Sequence, residues 1–187
     1  MGGVLAGRRD AVEAVRAGIG VHAGGVLSPF NAWLILRGLS TLPLRMRAHS
    51  DSAAQVARFL LAHPGVKAVT FPGLVSHPQF ALARRQMSMP SGMLTFQVDD
   101  GPRMAHVFKQ RLRLFSYAVS LGDVRSLIFY IPTDAIMQST FCLDGAALDA
   151  YRAFAGDGIF RVSIGLEDPD DLCYDLEQAL TVLPAAG

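Results

Sequence analysis

The stretch Ile159-Phe160-Arg161-Val162-Ser163-Ile164-Gly165-Leu166-Glu167-Asp168-Pro169-Asp170-Asp171 carries two structural signals back to back. Its first part is an apolar run of strand length with a single arginine inside it, and it is read as a strand over 159–164. Its last part crowds acidic residues into the opening turn of a helix-spaced segment ending near Leu180. The positive end of a helix dipole favours negative charge there, so a helix is expected over 168–180. Working outward, strand-like runs occupy 66–71, 93–98, 114–118 and 126–130, with helical spacing over 79–87, 102–112 and 148–154 and a loop over 72–78. Strands and helices alternating in this way predict a layered α/β or α+β lobe with helices against one sheet.

Upstream of His63-Pro64-Gly65 the texture is different. A long helix is expected from about 41 to 62, with Pro43 tolerated in its first turn. Leu44, Met46, Ala48, Ala53, Val56, Leu60 and Leu61 give it an apolar stripe. Before it, the residues suggest a short apolar strand over 1–7, a helix over 8–18, a turn at 24–29 and a second helix over 30–39. A long helix with a polar face suits the connection between two packed lobes.

The 187 residues carry 17 Lys+Arg against 16 Asp+Glu, and 51% are hydrophobic, which argues against disorder and against an electrostatic nucleic-acid binder. Residues 17–36 contain no charged side chain but hold Gly18, Gly20, Gly24, Gly25, Ser28, Pro29 and Asn31. That is a turn-forming texture rather than a membrane span. With no secretory signal at the N-terminus and only Cys142 and Cys173 as thiols, a reducing, cytoplasmic setting is expected. The five histidines form no ligand spacing, so no metal site is expected. Gly-x-Ser-x-Gly is absent, and Gly18-x-Gly20 lacks the third glycine of a dinucleotide fingerprint.

Two features stand out as chemistry. Ser120-Leu121-Gly122-Asp123, between two strand-like runs, is either an ordinary turn or a loop presenting a hydroxyl and backbone N–H groups. Arg161, inside an apolar strand, is costly unless paired. Its partner is either a structural carboxylate such as Glu167 or a ligand anion, which a planar guanidinium binds bidentately.

Taken together, several stretches resemble the Cys/Met-metabolism family of pyridoxal-phosphate enzymes, which includes cystathionine γ-synthase, cystathionine lyases, methionine γ-lyase and homoserine-ester sulfhydrylases. They are Gly2-Gly3-Val4-Leu5-Ala6-Gly7, Ser28-Pro29-Phe30-Asn31-Ala32-Trp33-Leu34, and Arg37-Gly38-Leu39-Ser40-Thr41-Leu42-Pro43-Leu44-Arg45-Met46. Further along come His63-Pro64-Gly65-Val66, Phe71-Pro72-Gly73-Leu74, Ser76-His77-Pro78, Arg85-Gln86-Met87, Ser120-Leu121-Gly122, Ser126-Leu127 and the Phe160–Asp168 stretch. They follow the family's order across nearly the whole chain.

The resemblance covers the C-terminal half or so of such an enzyme. It implies the C-terminal portion of a fold-type I transferase: a remnant of the large cofactor-binding domain over 1–40, a connecting helix over 41–62, and a small α/β domain with a mainly antiparallel sheet over 63–187. It implies that Arg161 holds the substrate's α-carboxylate and that Ser120 assists, with Val119 and Leu121 lining the same substrate site. Val119 and Leu121 resemble methionine γ-lyase more than the cystathionine lyases, whereas Phe129-Tyr130-Ile131-Pro132 departs from the family's usual His-Pro. The implied chemistry is γ-elimination or γ-replacement on methionine, cystathionine or homoserine derivatives, with pyridoxal 5'-phosphate as the cofactor. The Schiff-base lysine of the family lies upstream of the Gly-Gly-Val-Leu motif, and the resemblance gives that role to neither Lys67 nor Lys109. The chain alone is therefore expected to hold no cofactor covalently and to be inactive. It is expected to act as part of a homo-oligomer or with a missing N-terminal half. The alternative is a non-catalytic oligomerisation or regulatory subunit, or an inactive truncated product.

Overall fold

The computed structural model describes residues 2–181, and the chain divides into two compact units, Met1–Leu44 and Arg45–Gly187. The first holds helix α1, Arg9–Val15, continued by a π-helical turn over Arg16–Gly20, and helix α2, Pro29–Leu39. Ser28 caps α2 by accepting the Asn31 N–H at 3.3 Å, and Pro29 occupies the first turn, where no backbone donor is needed. The strand expected over 1–7 does not form among residues 2–7, and Met1 lies outside the described residues. An apolar run becomes a strand only where a neighbour takes its backbone N–H and C=O groups. No segment of this unit offers one among the described residues. The helix expected over 8–18 changes winding after Val15, in the segment that contains Gly18 and Gly20.

The boundary between the units falls in the first turn of the long helix α3, Leu42–Ala62. After it come β1 (Ala68–Thr70), α4 (Phe80–Gln86), β2 (Met93–Gln97), α5 (Gly101–Arg111), β3 (Ser116–Tyr117) and β4 (Leu127–Pro132). The chain continues through α6 (Thr133–Met137), α7 (Gly145–Ala155), β5 (Gly158–Ser163) and α8 (Pro169–Leu180). The strands form one sheet in the order β1-β2-β5-β4-β3. Three pairings are antiparallel and the β3–β4 pairing is parallel, so the α/β, mainly antiparallel architecture is as expected.

Alternation along the strands decides which face is core. Leu94 and Phe96 of β2, Ile128 and Tyr130 of β4, and Phe160 and Val162 of β5 are buried and in register. Against them pack the helix stripes Ala53, Val56, Ala57 and Leu60 of α3 and Leu172, Leu176, Ala179 and Leu180 of α8. Met104, Ala105 and Phe108 of α5 join the same core. Each stripe repeats at the three- and four-residue spacing of one helix face. Phe160 is the centre, with ring centroids 5.1 Å from Phe96, 5.0 Å from Phe108 and 5.0 Å from Tyr130.

One strand is shorter than its apolar run because a side chain has claimed backbone donors. The Leu114 and Phe115 N–H groups donate to Asp175 on α8, at 2.8 and 3.3 Å, so the run over 114–118 pairs only at Ser116–Tyr117. Asp175 also accepts the Arg113 N–H at 3.0 Å and is 5% exposed. Asp175→Ala would leave three backbone donors without their acceptor. We expect it to cost about 1–3 kcal/mol of stability, measured as a lower urea midpoint, with Asp175→Asn losing less. Equal stability of all three proteins would show that the bonds contribute nothing net.

The two thiols differ in environment. Cys142 is exposed, whereas the Cys173 thiol is pushed up to about 11, by burial first and by Asp170 second. A raised thiol pKa means less thiolate at any lower pH. Alkylation at about pH 8 is therefore expected to modify Cys142 and to leave Cys173 nearly untouched, with Cys173 reacting faster as pH approaches its own pKa. Comparable rates at both thiols in the folded chain would contradict this.

Candidate functional site

The strand β5 and the loop between β3 and β4 come together around Arg161. On β5, Arg161 lies in register between Thr95 of β2 and Phe129 of β4. Its parity with Ile159 and Ser163 puts it on the face opposite Phe160 and Val162, away from the helix-covered core. The side chain is half-buried. Its Nη2 donates to the carbonyl oxygens of Val119 and of Ser120, the latter at 3.3 Å. Among the described residues no carboxylate lies within ion-pair distance of this guanidinium. A guanidinium has five donors, and the two carbonyls engage only Nη2, so Nη1 and Nε remain for another acceptor.

Of the two partners the sequence allowed for Arg161, Glu167 is engaged elsewhere. It accepts the Ser126 N–H at 2.8 Å and the Ser126 hydroxyl at 2.9 Å. Ser126 Oγ in turn accepts the Gly165 N–H at 2.8 Å. The loop ahead of Ser126 is tied down at further points: Gly122 N–H donates to Ser163 Oγ at 2.9 Å, and Leu166 N–H donates to Val124 O at 2.8 Å. Gly122 has φ +76°, a backbone region that favours glycine. At Gly165 a Cβ would stand 2.6 Å from the Arg125 carbonyl carbon, so only glycine lets the segment after β5 and the loop approach this closely.

Ser120, Val119 and Leu121 all lie on this loop. Val119 and Leu121 are 63% and 57% exposed, and the Ser120 hydroxyl makes no hydrogen bond among the described residues. The structure thus places all four expected site residues together, with the loop contributing carbonyls to Arg161. Sequence reading missed the supporting set. Ser163, Ser126 and His49 are buried polar residues whose roles need the fold. His49 on α3 donates from Nδ1 to the carbonyls of Ile164, at 2.7 Å, and Gly165, at 3.0 Å. The available signal was the alternation Arg161, Ser163, Gly165, Glu167, a two-residue period of polar or small residues within an apolar strand.

The lysines lie in other settings. Lys67 Nζ is 3.7 Å from Asp99 on the surface, and Lys109 Nζ sits 4.7 Å from the centre of the Tyr117 ring. Among the described residues no cluster of His, Cys, Asp or Glu could hold a metal ion, and no helix is long and apolar enough to cross a membrane.

Comparison with known proteins places these features in context. Residues 1–181 match the family of Cys/Met metabolism PLP-dependent enzymes. The chain is 42% identical over 183 residues to O-succinylhomoserine sulfhydrylase of Pseudomonas aeruginosa, covering 98% of this chain and 44% of that protein. It is 40% identical over 182 residues to L-methionine gamma-lyase of Pseudomonas deceptionensis, again covering 44% of the relative and 97% of this chain. Among solved structures it is similar to one from Campylobacter jejuni assigned as an O-acetylhomoserine (thiol)-lyase, which carries pyridoxyl-lysine monophosphate. That match has a TM-score of 0.77 at 34% identity, over 93% of this chain and 40% of the other. The chain thus spans less than half the length of the relatives it matches.

Proposed function

We propose, from the premise that the chain belongs to the Cys/Met-metabolism family of PLP-dependent enzymes, that it is the part of a trans-sulfuration enzyme that binds the substrate α-carboxylate. The observation that carries this reading is the half-buried Arg161, whose guanidinium is oriented by two loop carbonyls and has no carboxylate partner among the described residues. Such a charge is stabilised by an incoming carboxylate, and the planar fork fixes that carboxylate's orientation. Ser120 adds a hydroxyl at the same loop, and Val119 and Leu121 present apolar surface to the rest of an amino-acid substrate. The reaction class is γ-elimination or γ-replacement at methionine, cystathionine or a homoserine derivative, in the cytoplasm.

Pyridoxal phosphate would supply the electron sink for such chemistry, but the residues of this chain do not fit its attachment. Lys67 lies on the surface beside Asp99 and Lys109 over the Tyr117 ring, and the family resemblance gives the attachment role to neither. The lysine and the cofactor site would come from an upstream segment, supplied in the same assembly. The first unit supports this: no residue of α1 or α2 is buried, and α2 exposes Phe30, Trp33, Leu34, Leu36 and Leu39. A helix apolar on nearly every side is one that packs inside a larger body.

Trp33 is the only tryptophan of the chain and is 54% exposed. Labelling it as fluorotryptophan and adding a lysine-bearing upstream half of a family member is expected to shift its resonance and to slow its solvent exchange. The assembled protein should then release an α-keto acid from methionine, or convert a homoserine ester in the presence of a thiol. A complex that buries Trp33 but acts on neither substrate would favour a non-catalytic subunit instead.

A further inference from the structure

We infer that Glu167 and Ser163 are positioning residues that hold the Arg161 guanidinium in place through the 119–126 loop; the inference rests on the carboxylate-binding role proposed for Arg161. The observation is one of register. Arg161, Ser163, Gly165 and Glu167 are alternate residues, and every one of them touches the same loop. Arg161 Nη2 donates to the Val119 and Ser120 carbonyls. Ser163 Oγ accepts the Gly122 N–H at 2.9 Å, Gly165 N–H donates to Ser126 Oγ at 2.8 Å, and Glu167 accepts both Ser126 donors. The segment grips the loop rung by rung, from the guanidinium at one end to the carboxylate at the other.

Beside these rungs, the Leu166 N–H donates to the Val124 carbonyl at 2.8 Å. Val119, Leu121 and Val124 are exposed, so no core packing holds their side chains. The loop's position therefore depends on hydrogen bonds, and those to a carboxylate are the strongest of them. His49 pins the Ile164 carbonyl from the α3 side at 2.7 Å, so the rung-bearing segment is itself held. Because Glu167 is committed to Ser126, it does not neutralise Arg161. The carboxylate that a sequence reader would pair with the arginine instead orients it indirectly and leaves its charge for the ligand.

The test uses isotope-labelled chain and the side-chain NMR signals of Arg161. Hydrogen bonds to two carbonyls slow rotation of the guanidinium, so its Nη protons are expected to be resolved from the averaged signal of the exposed Arg9. Glu167→Ala and Ser163→Ala should each merge them with that signal. The same variants should speed amide exchange of Gly122 and Ser126 by about tenfold or more, with Phe96 and Phe160 amides unchanged. Glu167→Gln, which keeps one acceptor oxygen, should restore part of the protection. Ser163→Ala removes a single oxygen and keeps the test decisive if Glu167→Ala does not fold. In the assembled enzyme, Glu167→Ala should raise KM for the amino acid about tenfold with kcat nearly unchanged, and should add nothing once Arg161 is alanine. Unchanged Arg161 signals in the variants, or a KM cost that persists without Arg161, would overturn the positioning role. An assembly with no turnover counts against the proposed function, and the guanidinium signal, which needs no turnover, still decides this inference.

Discussion

Arg161→Ala, in the chain assembled with a lysine-bearing upstream half, is expected to weaken binding of the substrate carboxylate by about 2–5 kcal/mol, the cost of removing one partner of a buried charge pair. The effect should appear chiefly as a raised KM, because in the proposed role the guanidinium binds a group that does not react. Arg161→Lys should recover only part of it. A lysine keeps the charge but loses the planar fork, and it cannot both accept orientation from the Val119 and Ser120 carbonyls and present a parallel donor pair. Kinetics with an amino-acid substrate and with its decarboxylated amine separate the readings. The amine should be as poor a substrate for the wild type as for the variant, relative to the amino acid on the wild type. If Arg161→Ala leaves KM and kcat unchanged, the arginine is a loop tether and the carboxylate site lies elsewhere.

The largest effect on stability is expected at Phe160. It is 1% exposed and touches three other rings, from β2, α5 and β4. Phe160→Ala removes the ring from the point where the sheet and α5 meet, and the surrounding backbone is held by strand pairing on both sides of β5. The site therefore cannot collapse freely, and the loss should reach about 3–5 kcal/mol. A urea midpoint that falls with an unchanged slope would report this. A loss below about 1 kcal/mol would mean that the Phe96, Phe108 and Tyr130 rings close the gap. The neighbouring residue offers a contrast. Arg161 shares the strand with Phe160 but points to the opposite face, so its replacement should move function far more than stability.

Much of the second unit was legible because its periodicities are unambiguous. Phe160 and Val162 alternate with Arg161 and Ser163, and the stripe Ala53, Val56, Ala57, Leu60 repeats at helix spacing; both translate directly into buried faces. The acidic opening of α8 was legible too, and Asp168 caps it by accepting the Asp170 N–H at 2.9 Å. What stayed hidden depends on partners distant in sequence. The strand expected over 114–118 shrinks because Asp175, some sixty residues on, takes its N–H groups. The short helix α6 was missed because five residues carry too little periodicity to register. The apolar run at 2–7 reads as a strand by composition, yet forms none without a neighbour.

The candidate site shows the same division. Arg161, Ser120, Val119 and Leu121 could be named from the residues and the family resemblance, and the fold brings them to one place. The choice between Glu167 and a ligand anion as the arginine's partner could not be made from spacing. Residues 161 and 167 share parity, and only the position of Ser126 across the turn shows where the carboxylate goes. His49 was read solely as a possible metal ligand, and set aside. Its role as a donor to the Ile164 and Gly165 carbonyls requires the return of the chain more than a hundred residues later.

The most direct measurement is a titration of this chain into a folded, lysine-bearing upstream half loaded with pyridoxal phosphate, following α-keto acid release from methionine or a homoserine ester. Turnover is predicted to be absent for either part alone, to rise with added chain, and to saturate at one chain per upstream half. Full turnover by the upstream half without this chain, or none from a folded stoichiometric complex, would contradict the claim that these residues complete the substrate site.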